Sequence, residues 1–251
     1  MILTFMLAFG TVVPCPRNGD SRPRTKMKSQ DVLLLLKLVS LSKSDRTGDK
    51  YLDSRWQDWE TEETAPTLEV AASGLEDLDH LHLRPLATHE HSSAAQYGIR
   101  PLAEMTGISK SQVSLSLARC YKSGLAKPDR LTGLPKANTT ALAEFLVYGL
   151  RYVFPASIGP LTRGIATAWA APVLAETVLS GGEMPLVWPD PRGKTKGQAL
   201  EPIYKTVPLA VKKDSMLYSL LALTDAIRIG QARERSIAID VLNRMLEPPR
   251  V

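Results

Sequence analysis

The chain of 251 residues predicts a mainly α protein: a pair of short helices in the N-terminal half, a mostly helical C-terminal part and an irregular Pro/Gly-rich segment between them. Three observations carry this. Residues 99–125, IRPLAEMTGISKSQVSLSLARCYKSGL, read as two short helices joined by a tight turn. Apolar residues recur at helical spacing over 139–154 and again over 203–246. Aromatics make up only 6% of the chain, and the abundant leucine and alanine favour helices.

In chain order, residues 1–26 open with MILTFMLAFGTVVPCP, an apolar run of signal-peptide length without a leading positive charge or a well-placed small-x-small site. Met27 stands directly before KSQDVLLLLKLVSL, so it is the expected start, with 1–26 a non-native or disordered extension. Ser29 caps a helix through about Leu41, and Asp31 suits its positive end. Its leucines are apolar almost all round, which predicts burial. From Asp45 to His91 twelve acidic residues face four basic ones, so 42–96 reads as a solvated, partly disordered insertion whose first part Trp56 and Trp59 anchor. His80, His82, His89 and His91 form two His-x-His pairs inside it. No helix or strand frames them and neither cysteine is close, so no metal and no cofactor is assigned.

The helix pair has a defined chemistry. Ala103 is small where two helices cross, Gly107 suits a turn at positive φ, and Leu102, Ile108, Val113 and Leu117 make a small core. Ser109 and Gln112 have capping-box spacing, which starts a helix over 109–121. With Val113 and Leu117 inward, Lys110, Ser111, Gln112, Ser114 and Leu115 are left outward as donors, acceptors and one methyl-rich contact, the kit for reading base edges. Between Arg100 and Lys136 seven basic residues face two acidic ones, a phosphate-binding footprint in which Arg100, Arg119 and Lys122 are the candidate phosphate contacts.

Together with the upstream SQDVLLLLKLVSL, this stretch resembles the winged helix-turn-helix of bacterial transcription regulators, similar to the MarR and IclR groups. That resemblance implies a DNA-binding domain over 27–136, interrupted by the acidic insertion, whose second motif helix enters the major groove. Ser116 departs from it, standing where such motifs often carry a second core leucine. The segment LAKPDRLTGLPKANTT has room for only a short hairpin in place of a wing.

Residues 137–251 are expected to form a helical dimerisation or sensing domain. Asn138 or Thr139 caps a helix through LAEFLVYGLRYVF, which Pro155 stops. Residues 156–197 hold proline, glycine and small residues and read as irregular, although Trp169, Leu186, Val187 and Trp188 must be buried. WPDPRGKT lacks the glycine of a phosphate loop at Trp188 and reads as a basic surface turn. Pro202 suits a first helical turn and Pro208 kinks or ends that helix; Asp214 or Ser215 starts another, which Gly230 closes. In the last helix Ile237, Val241 and Met245 share a face, and Asp225, Glu234 and Asp240 read as solvated partners of nearby arginines.

Cys15 and Cys120 are too few for a disulfide framework, and no run of about 18 apolar residues predicts a membrane span, so a cytoplasmic location is expected. No nucleophile elbow, dinucleotide loop or metal-ligand helix appears, which argues against an enzyme. Two functions remain. One is a homodimeric regulator reading double-stranded DNA. The other is a protein-interaction module, an antitoxin-like partner binding through its C-terminal helices, with the helix-turn-helix autoregulatory or vestigial.

Overall fold

The computed structural model describes residues 26–44, 57–60, 93–175, 177 and 184–247. The expected extension apart from Lys26, most of the acidic insertion with Trp56, and all four histidines lie outside the described residues.

Helix α1, Ser29–Ser44, is the axis of the molecule. Every residue from Gln30 to Leu41 is buried, charged ones included. A helix buried on all sides must be covered on all sides, and α1 is packed by the helix pair over 99–122, by the short strand over 135–137 and by the long helix over 215–229. The short α2 (Ser93–Gln96) leads into α3 (Ile99–Thr106) and α4 (Lys110–Lys122). Gly107 caps α3 at φ 68°, its amide donating to Ala103 O. A side chain there would be strained by that φ and would also press on Thr206 and Leu209, each 3.0 Å from a Cβ.

After α4, β1 (Ala126–Pro128) and β2 (Pro135–Ala137) form an antiparallel hairpin. Asn138 then caps α5 (Thr139–Glu144), which runs through a π turn at Phe145–Gly149 into α6 (Leu150–Val153). The chain continues as β3 (Ile158–Thr167), a 3₁₀ turn at Ala168–Ala170, α7 (Pro172–Ala175), β4 (Leu186–Pro189) and β5 (Thr195–Leu200). Three helices close the described chain: α8 (Val207–Val211), α9 (Ser215–Ile229) and α10 (Ala232–Leu246).

This corrects the expected fold class. The protein is not a mainly α winged helix-turn-helix with an irregular Pro/Gly-rich segment and an otherwise helical C-terminal part. Much of 156–200 is a three-stranded mixed sheet, closed on itself, in which β3 pairs antiparallel with both β4 and β5 while β4 and β5 pair in parallel. With the hairpin it makes the chain a mixed α and β protein. The glycines that read as loop residues are what this sheet needs. At Gly164 a Cβ would lie 2.1 Å from Trp188 O, so only glycine lets the strands approach so closely. Residues 57–60 add to the same sheet. Trp59 forms a β-bridge with Gly193 and is buried, and the Asp58 carboxylate accepts from Ala166 N at 2.7 Å and Thr195 Oγ1 at 2.8 Å.

Asp225 on α9 is a second correction. It is buried, not a solvated partner. Its carboxylate accepts from Trp188 Nε1 at 2.6 Å, Thr167 Oγ1 at 3.2 Å and the Arg228 guanidinium at 2.7 Å. Arg228 also donates to the carbonyls of Phe154, Pro155 and Glu201. Burial pushes the Asp225 carboxyl above the usual range, and the Arg228 charge with these donors opposes that push. Trp188 meets Tyr218 edge to face at 5.9 Å, and the Tyr218 hydroxyl donates to Ala166 O. One buried ion pair thus ties α9 to all three strands' neighbourhood and to the chain entering the sheet.

Candidate nucleic-acid interface

Helix α4 is held from behind by polar chemistry. Val113, Ser116 and Cys120 are buried, one helical stripe facing α1. Ser116 Oγ donates to Asp31 Oδ1 at 2.6 Å and accepts from Gln30 Nε2 at 3.0 Å. Arg119 Nε donates to Asp31 Oδ2 at 2.8 Å and a second guanidinium nitrogen reaches Oδ1. Asp31, fully buried, also accepts from the Lys28 amide at 2.8 Å. The hydrogen bond to Asp31, with its charge, holds the Arg119 guanidinium above its ordinary pKa against the cost of burial. The departure at Ser116 therefore has a structural reason: a polar residue occupies a core position because its partner on α1 is a carboxylate.

This geometry sorts the residues singled out from sequence. Lys110, Ser111, Ser114 and Leu115 are exposed together on α4, and Leu115 is 52% exposed. Gln112 is half-buried and accepts from Gln30 Nε2 at 3.0 Å, so it stands at the edge of that face. The capping box does not form: Ser109 makes no side-chain cap and instead lies 3.4 Å from Ser111 Oγ. Arg119, with its side chain 11% exposed and both edges of its fork on Asp31, is committed to structure and leaves the phosphate-contacting set. Arg100 is exposed in the first turn of α3, and Lys122 is exposed at the end of α4.

Two features were missing from the sequence assignment. Ala118 and Tyr121 continue the exposed face of α4; the i+4 and i+7 spacing from Ser114 signals this once Val113, Ser116 and Cys120 are known to face inward. The hairpin carries Lys127, Arg130 and Lys136, all exposed, around a turn in which Asp129 accepts from the amides of Leu131 and Thr132. Those two amides draw the Asp129 carboxyl below its ordinary pKa, with Lys136 at 3.5 Å adding to the effect. No acidic residue occurs in α4. The assembled surface offers hydroxyls, apolar contacts at Leu115, Ala118 and Tyr121, and ammonium groups on one helix beside a basic hairpin.

Cys120 has no reactive environment. Burial, and then the Asp31 charge, push its thiol up to about 12 while Arg119 opposes them. In a Cys15→Ser background, Ellman's reagent at pH 8 is expected to leave Cys120 unmodified in native protein and to label it fully in urea. Rapid labelling of the native protein would show that α4 does not stay docked on α1.

Among the described residues no cluster of His, Cys, Asp or Glu could hold a metal ion, and no helix is long and apolar enough to cross a membrane. No protein-family model, curated protein or solved structure matches the chain.

Proposed function

We propose that the protein is a sequence-specific DNA-binding transcriptional regulator, in which α4 enters the major groove and the β1–β2 hairpin lies along the backbone. The single observation carrying this is the two-sidedness of α4. Its inner side is fixed to α1 by the Asp31–Ser116–Arg119 network, and its outer side presents Lys110, Ser111, Ser114 and Leu115 to solvent. A helix that reads bases needs both properties, because bidentate contacts tolerate little displacement. Lys110, Ser111, Ser114 and Leu115 face base edges, with Gln112 at the margin. Arg100, Lys122, Lys127, Arg130 and Lys136 hold phosphates. One helix covers only a few base pairs, so the reading implies a homodimer on a near-palindromic site, acting in the cytoplasm.

The test is fluorescence anisotropy on DNA from the gene's own upstream region and on a genome-wide pool, against scrambled competitor. Wild type is expected to prefer its site by about a thousandfold or more. Ser111→Ala with Ser114→Ala is expected to lose most of that preference while keeping weak, salt-sensitive binding. Equal binding to every sequence in the pool would defeat the proposal. A second reading, a protein-interaction module, draws on Tyr148 and Tyr152, which stand 75% and 78% exposed one helical turn apart at the π turn and α6.

A further inference from the structure

The solvent face of the β3–β5 ladder carries an unusual pairing. Arg163 and Lys196 are direct cross-strand partners, and Leu161 pairs with Gln198 on the same face. Lys194, two residues before Lys196, is exposed as well. Like charges placed opposite each other in a ladder destabilise it. Glu60 relieves this little, because it lies 3.8 Å from Arg163 with both side chains more than half exposed. Lys194 and Lys196 have no ion pair with a described residue.

This face is joined to the turn before α4 through α8. Thr206 Oγ1 donates to Thr106 O at 2.6 Å, and Lys213 Nζ donates to Glu104 O at 3.0 Å. On the other side of α8, Lys212 Nζ meets Asp190 Oδ2 at 2.7 Å in the turn between β4 and β5. The sheet and the reading helix are therefore parts of one connected body. Over 184–213 six basic residues stand against Asp190 and Glu201 alone.

We propose that the exposed face of the β3–β5 ladder, with Arg163, Lys194, Lys196 and Gln198, is a second contact for the DNA sugar-phosphate backbone, outside the base pairs covered by α4. This rests on the DNA-binding reading above. A duplex backbone is favoured over an acidic protein because the face offers cations and an amide donor around the Arg163–Lys196 pair, with its exposed apolar residues, Leu161 and Ile158, confined to one end of the ladder. Phosphate contacts need only such donors, whereas a protein interface needs apolar anchors seated in pockets. The contact adds affinity and salt dependence without adding base discrimination.

The test uses the full chain and two duplexes, one trimmed to the bound site and one extended by a helical turn on each side. Arg163→Gln, Lys194→Gln and Lys196→Gln are combined, and affinity is measured over a salt series. On the extended duplex the slope of log K against log salt is expected to fall by about 2 to 3, since each lost phosphate contact removes roughly 0.9. The preference for the specific site stays within about twofold, and on the trimmed duplex variant and wild type bind alike. Lys194→Arg with Lys196→Arg, which keeps the charge, is expected to keep the wild-type slope; an equal loss there would overturn the inference. An unchanged slope in the triple variant, with wild type still preferring its site, overturns this contact, leaves the regulator reading standing and points to an acidic polypeptide for this face. Failure of wild type to discriminate any DNA overturns the reading and this inference with it.

Discussion

Asp225→Ala is expected to lower the unfolding free energy by about 3–5 kcal/mol, the range for removing one partner of a buried ion pair. Three groups lose an acceptor at once: the Arg228 guanidinium, Trp188 Nε1 and Thr167 Oγ1. Arg228 is itself buried, so its charge would remain in a region of low dielectric with only backbone carbonyls as partners. Urea unfolding reads the effect as a lower midpoint at an unchanged slope. A loss under about 1 kcal/mol would mean that water reaches the site freely, contrary to its burial. If the single variant does not fold, Asp225→Ala combined with Arg228→Met supplies the comparison. The apolar pair removes the stranded charge, but recovery stays partial because the carbonyls of Phe154, Pro155 and Glu201 lose their donor.

Asp31→Ala is expected to cost about 3 kcal/mol and, unlike the first substitution, to disturb recognition. Ser116, Arg119 and the Lys28 amide all donate to this one carboxylate. Without it α4 keeps its apolar stripe but loses the directional bonds that fix its rotation and height on α1. On the proposed DNA-binding reading, specific DNA affinity is therefore expected to fall although no outward residue has changed. Arg119→Ala separates the structural role from a phosphate contact. Stability is expected to drop, while the salt slope of DNA binding stays at the wild-type value; a fall of about 0.9 would return Arg119 to the backbone-contacting set.

What could be read from sequence was local. The turn at Gly107, φ 68°, the caps, which fall on Asn138 and Asp214 of the two candidates at each place, and the burial of α1's leucines are each decided by residues within a few positions of one another. What could not be read depends on partners far along the chain. Ser109 and Gln112 have capping-box spacing, yet Gln112 turns to Gln30, 82 residues away. Arg119 looked like a free cation because its partner lies 88 residues upstream. The three-stranded sheet escaped for a different reason. Its strands owe their shape to glycines at crossing points and to the burial of Trp188, so neither alternation nor β-branched content marks them. One trace was present, a serine at position 116 where a leucine was expected, which announced a polar partner without saying where it was.

The central place of α1 bears on how the chain is made. Its leucines are covered by α9, and Lys37 finds Asp214 only 177 residues later in sequence. At ordinary synthesis speeds of ~5–20 residues per second, that wait is on the order of ten to thirty seconds. Through it a helix rich in leucine, with buried charges at Asp31 and Lys37, is without its final partners. The ribosome thus releases a leucine-rich core helix long before its cover, so yield in the cell is expected to track the supply of chaperones that hold nascent chains more closely than it tracks the stability of the finished fold.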